Sequence, residues 1–116
     1  MTSSNLEVYN SIFAPKIRLK ILKILQNANA GHLGSSMSIV EMLIAMYSVA
    51  DIEKIREHSK IRDRIIVSKG HAAAATYATM SQFGLMDENI LNTYHLLDSK
   101  LQGHVSHKVQ FVEHST

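Results

Sequence analysis

One short β-branched run, Ile65-Ile66-Val67-Ser68, is the only strand-like segment in a chain of 116 residues. Asp63-Arg64 and Lys69-Gly70 bound it on either side, which is how a short buried strand is punctuated. A single strand cannot make a stable sheet, and a parallel strand needs both of its faces covered. The expected fold is therefore α/β but incomplete: a helix-rich portion of a larger domain, with one parallel strand. Chains of this length bury about two-thirds of the surface they expose when unfolded. A core is expected, but not a large cleft enclosed by one chain. With 46% apolar and 19% charged residues, disorder is a poor fit.

The rest of the chain reads as helices. Ile17, Ile21, Ile24, Leu25 and Ala28 recur at helical spacing within a first helix from about Leu6 to Ala28. Lys16, Lys20, Lys23 and Asn27 fall on the opposite side, so the outer face reads as basic. A solvated helix face explains that stripe more simply than an anionic partner does. Pro15 either starts this helix or breaks it into two pieces. Gly31 is the expected stop. A second helix follows, with Ser38 and Glu41 as a capping box and Ile39, Met42, Leu43, Met46 and Tyr47 as its buried face. A third begins near His71 with very small residues, Ala72 to Ala75, and stops at Gly84. Asp87-Glu88 opens a short helix reaching about His95. Residues 98–116 show almost no periodicity and read as one long loop, a length that usually carries a function or is disordered.

Composition removes several classes. There is no cysteine, so neither disulfides nor Cys-ligated zinc are open to this chain. The longest apolar run is far short of a membrane span, and no signal peptide is visible at Met1–Asn10. A soluble cytoplasmic protein is the default. A net charge of +2 is too weak to imply nucleic acid.

The chemistry lies in seven histidines, three of which follow a glycine directly: Gly31-His32, Gly70-His71 and Gly103-His104. Glycine allows a sharp turn or a close approach to a ligand. His71 falls between a strand's C-terminal end and a helix N-terminus, the edge where open α/β sheets bind ligands and where a phosphate or diphosphate fits. Any one such pair is an ordinary turn beside a surface imidazole; three together do not identify a reaction. His104 and His107, with His114 beyond, have an H-x-x-H spacing. Without cysteine or a carboxylate pair to complete it, this is a weak zinc signature, and no metal ligand is assigned. A Ser-His-Asp hydrolase is a weaker reading still, because Ser35 and Ser68 lack a G-x-S-x-G elbow.

Four blocks in series nevertheless resemble a family. Ala30-Gly31-His32-Leu33-Gly34-Ser35-Ser36-Met37-Ser38 is the first. Arg62-Asp63-Arg64 with Ser68-Lys69-Gly70-His71-Ala72 is the second. Gln102-Gly103-His104 and Val112-Glu113-His114-Ser115-Thr116 are the third and fourth. In order and spacing they resemble the N-terminal, diphosphate-binding part of transketolase from about Ile17 onward. The likeness is closest to the split bacterial type, in which that part is a subunit of its own. Residues 1–116 are thus expected to form an incomplete domain of this kind, with 98–116 as an active-site-type loop.

The resemblance implies roles. His32 would contact the sugar substrate and assist proton transfer. His71 would sit by thiamine diphosphate, and His104 beside both cofactor and substrate. Imidazole suits proton transfer because its free pKa lies near neutrality. The cofactor carries the carbon–carbon chemistry, and the protein orients it. The 116 residues do not contain the family's Gly-x-Leu-Gly-Gln-Gly segment, its Gly-Asp-Gly…Asn source of Mg²⁺ ligands, or the glutamate that activates the aminopyrimidine. Val105 stands where a proline is common, and Gln110-Phe111 where Pro-Gly is usual.

Three readings stay open. The chain is one component of a split transketolase-like enzyme, acting on sugar phosphates in an oligomeric assembly with one or more complementary subunits. Or it is an inactive truncated homologue that binds or regulates a related enzyme. Or it is an unrelated helical module, which four blocks in series make the weakest reading.

Overall fold

The computed structural model describes residues 3–115, and its architecture is helical. The elements in order are α1 (Ser3–Ala28), α2 (Leu33–Met37), α3 (Val40–Val49), α4 (Ile52–Arg56), a 3₁₀ turn at Gly70–Ala72, α5 (Ala73–Gln82) and α6 (Glu88–Leu91). The helices α1, α3 and α5 pack on one another. Their common core holds Ile17, Ile21 and Ile24 from α1, Val40, Leu43 and Ile44 from α3, and Ala74, Tyr77, Ala78 and Met80 from α5. No helix among the described residues is long and apolar enough to cross a membrane.

Helix α1 is continuous through Pro15, so the proline is neither a start nor a break. Its missing N–H leaves the Ser11 carbonyl without an intrahelical donor, a local loss that the packed inner face outweighs. The stop is Asn29, not Gly31. Asn29 adopts a left-handed conformation with φ 50°. Its amide donates to the Gln26 carbonyl, and the amide of Ala30 to that of Leu25, which closes the last turn. At the end of α5, Gly84 does the same job with φ 80°, as expected.

The face buried by α3 is rotated from the expected one. Val40, Leu43, Ile44 and Tyr47 are buried, whereas Met42 and Met46 are 68% and 46% exposed. Apolar residues occupy nearly every position of α3, so two rotations satisfy the pattern and packing on α1 and α5 selects one. The capping box does not form either. Ile39 is the N-cap, the Ser38 hydroxyl donates to the Ser35 carbonyl, and Glu41 reaches across to Arg18.

The expected parallel strand is likewise absent: residues 62–69 form no regular element, and no strand occurs among the described residues. The reason is the lack of a neighbouring strand. The Val67 amide donates instead to Nε2 of His114 at 3.0 Å. The α/β expectation therefore reduces, among the described residues, to helices joined by irregular segments. Asp87 caps α6 by accepting from the Asn89 amide, as read, but α6 ends at Leu91 rather than near His95. Residues 98–115 contain no regular element and are anchored by buried Leu101, Val105 and Val109.

Candidate active site

The three Gly-His histidines come together. The rings of His32 and His71 stack with centroids 4.2 Å apart and planes 3° from parallel. His104 meets His71 edge-on, with centroids 4.8 Å apart and an interplanar angle of 67°. All three residues are exposed, so the free edges of three imidazoles share one patch of surface. Each ring nitrogen can donate or accept a hydrogen bond, a suitable lining for a ligand rich in oxygen atoms.

Each ring is delivered by a different device. His32 precedes α2 in a left-handed conformation, φ 67° and ψ 28°. Non-glycine residues rarely adopt that region, yet His58 and His95 do so here as well, with φ 55° and 61°. The turn therefore uses the histidine itself, not Gly31, as its left-handed residue. A Cβ at Gly31 or Gly34 would meet nothing within 4 Å. His71 lies in the 3₁₀ turn that leads into α5. His104 lies in the long C-terminal loop.

Two buried side chains hold these pieces in register. The Ser36 hydroxyl, on α2, accepts from the Ala75 amide at 3.2 Å. That amide is in the first turn of α5 and would otherwise lack a partner. The bond fixes the loop of His32 against the turn of His71. Lys69 reinforces it from outside, donating to the Ser38 hydroxyl at 2.7 Å. Tyr77 does the corresponding work for His104. Its hydroxyl accepts from the Ser106 amide at 3.1 Å and donates to the His104 carbonyl at 3.4 Å. Burial raises the pKa of this phenol, and the Ser106 amide partly offsets the rise. The alanines of the first turn, Ala72 to Ala75, are packed in the interior. Their small size serves helix packing, and the start of α5 is not an open anion site here.

A second polar anchor ties the C-terminal loop to residues 62–69. Arg62 grips Glu113 through two bonds, Nε–Oε1 at 2.6 Å and Nη2–Oε2 at 3.1 Å. Arg64 lies 3.6 Å from the same carboxylate. The Arg62 guanidinium, chiefly through these hydrogen bonds, holds the Glu113 carboxyl below its ordinary range.

None of the other histidine rings stacks on these three among the described residues, and His58 is exposed just beyond α4. His107 bonds Ser115 through its backbone amide at 2.9 Å. His114 lies against Val67, its Nδ1 buried without a partner. No group of three His, Cys, Asp or Glu side chains among the described residues could hold a metal ion. His95 has its ring against Tyr94 and beside Gly103, the residue before His104.

The sequence pattern brought His32, His71 and His104 into view but missed Ser36 and Tyr77. Ser36 lies 39 residues from its partner and Tyr77 29 residues from Ser106, so no local spacing announces either. Their only sequence signal is polar side chains on helical faces that are otherwise small or apolar.

Residues 10–116 match the family described as transketolase, thiamine diphosphate binding domain. The chain belongs to that family. It is 40% identical over 106 residues to a subunit of the apulose-4-phosphate transketolase of Actinobacillus succinogenes, covering 89% of this chain and 38% of the relative. It is 32% identical to the corresponding subunit from Phocaeicola vulgatus, covering 87% of this chain and 36% of that one. Mouse transketolase is 28% identical over 104 residues, covering 89% of this chain and 17% of its own length. The chain thus spans less than two-fifths of the curated relatives it matches. In this transketolase-family chain, all three Gly-His pairs lie within the matched range. The segment of residues 62–69, which leads into His71, lies within the matched range.

Proposed function

We propose that this chain is one component of a split transketolase-like enzyme. The reaction is transfer of a two-carbon ketol unit between sugar phosphates, as in pentose phosphate interconversion. The carrying observation is the convergence of His32, His71 and His104, three residues 72 positions apart from first to last, at one exposed edge. A fold that only packed helices would have no cause to gather three imidazoles in water. Two of the relatives are themselves named as transketolase subunits, which supports the split arrangement.

The residues present fit thiamine diphosphate as far as this chain can supply a site. Open space over Gly31 and Gly34 lets a flat ring or a diphosphate approach the backbone. When bound, the cofactor supplies the carbon nucleophile that breaks and forms the carbon–carbon bond. His71 and His104 would hold and orient it from one side. His32 and His104 would bind the hydroxyls or phosphate of the sugar and move protons at its oxygens. Mg²⁺ ligands would come from a complementary subunit, or from polypeptide outside these 116 residues. Residues 1–116 then form part of the diphosphate-binding domain, and 98–116 its active-site loop, in a cytoplasmic oligomer.

Alanine variants of His32, His71, His104, His58 and His95 test the reading in a two-carbon transfer assay with the complementary polypeptide. Loss of a positioned acid–base or charge-stabilising group lowers rate by about 10²–10⁴-fold. That loss is expected for the first three only. His71→Ala should act mainly on cofactor affinity, and His32→Ala on turnover and sugar affinity. Equal activity for His32→Ala, His71→Ala and His58→Ala would overturn the assignment.

A further inference from the structure

The C-terminal loop and the end of α4 enclose two clefts that share a wall. One, of about 500 Å³, is lined by Arg56, His58, Lys100, His107, Lys108 and Glu113 beside residues 109–112. The other, of about 460 Å³, is lined mainly by apolar residues, among them Leu85, Met86, Ile90 and Leu101. Arg56, Lys100 and residues 109–111 line both. Phe111 stands in that shared wall, and its backbone is unusual. Six non-glycine residues have positive φ among the described residues, and five of them are Asn, Asp or His, which tolerate that region. Phe111, with φ 68°, is the exception, so the wall is held in a conformation that its own side chain disfavours.

The charges of the first cleft do not cancel. Its lining holds three permanent cations, Arg56, Lys100 and Lys108, and one carboxylate, Glu113. That carboxylate is already engaged by Arg62 and Arg64. Arg56 is paired with Glu53, whereas Lys100 and Lys108 are in no ion pair among the described residues. The second cleft adds Asp87, whose carboxylate caps α6. Even with Glu57 included, which lies between Arg56 and His58 in sequence, the cations are in excess. The two imidazoles add donors. The Ser115 hydroxyl accepts from the His107 amide, so it can donate to Nδ1 of that ring and leave the ring proton on Nε2. Ammonium, guanidinium and imidazole donors around one space suit an oxyanion with several oxygens, as a phosphoryl group has.

We propose that the paired clefts bind a small phosphate monoester with an apolar or aromatic body, its phosphoryl group in the basic cleft and its body in the apolar one. Each half is weak alone. Exposed lysines hold a bare phosphate loosely because water and salt screen them. The apolar cleft gains only from the area that a ligand covers. A ligand that spans the shared wall at Phe111 uses both. Neither cleft is lined by His32, His71 or His104, so this site stands or falls separately from the proposed reaction.

The probe is phenyl phosphate, compared with inorganic phosphate and with phenol at constant ionic strength. Amide and imidazole NMR shifts of the full 116-residue chain read both affinity and place. Phenyl phosphate is expected to bind at least about tenfold more tightly than either half, with shifts centred on His58, Lys100 and residues 107–111. Lys100→Gln with Lys108→Gln should weaken phenyl phosphate at least about tenfold with an unchanged circular dichroism spectrum. Ile90 is 53% exposed, so Ile90→Gln leaves the core intact. It should weaken phenyl phosphate and leave inorganic phosphate unchanged. Phenyl phosphate that binds no more tightly than inorganic phosphate or phenol, or that gives no saturable shift, would overturn the proposal. So would affinity that survives the double lysine variant, or shifts centred on His32, His71 and His104, since the phosphate would then belong to the histidine cluster.

Discussion

Helix α5 and the C-terminal loop lie against each other yet are held in opposite ways. In α5, residues 73 to 80 are all buried, and most are too small to do anything but bring helices close. The loop from 98 to 115 has no ladder of its own. It rests on three buried aliphatic residues and on individual polar pins: Tyr77 to Ser106, Arg62 to Glu113, and His114 to Val67. The helical layer distributes its stability over many weak contacts. The loop concentrates its order in a few bonds. A site built where the two meet, as the histidine cluster is, takes its position from both.

The largest expected effect is in the layer. Ile21 is fully buried between helices. Ile21→Ala should cost about 2–5 kcal/mol in denaturant unfolding, felt by the whole chain. A cost near zero would mean that the core is not packed as described.

The loop should respond more locally. Tyr77→Phe removes the acceptor of the Ser106 amide and should cost about 1–2 kcal/mol. Amide exchange should speed up chiefly around Ser106 and His104, while α1 and α3 stay protected. Uniform loss of protection would erase the contrast between the two regions.

The smallest effect isolates one backbone torsion. Phe111 has φ 68°, where the family pattern usually has glycine. Phe111→Gly and Phe111→Ala both lose the ring, so their difference reports the torsion alone. The glycine variant should be more stable by about 1 kcal/mol. Equal stability would show that the loop relaxes around this residue.

Legibility followed the same division. The inner face of α1, the Gly84 stop and the Asp87 cap were readable because each is a local pattern of spacing or a local backbone demand. The buried face of α3 was not, because a helix apolar nearly all round carries no phase information. The strand read at residues 65–68 does not form, since a strand needs a neighbour to pair with and a β-branched run alone does not supply one. At the candidate site, the Gly-His repetition identified the three rings. The bonds of Ser36 and Tyr77, which set the rings beside one another, join residues far apart in sequence and left no trace in it.

The central claim is that His32, His71 and His104 meet at one edge of the helical layer. Ring-proton nuclear Overhauser effects in the full 116-residue chain test it most directly. The stacking at 4.2 Å and the edge contact at 4.8 Å predict cross-peaks between His32 and His71 and between His71 and His104. None should join any of these rings to His58. A folded chain, with α1, α3 and α5 protected from exchange, that lacked both cross-peaks would contradict it.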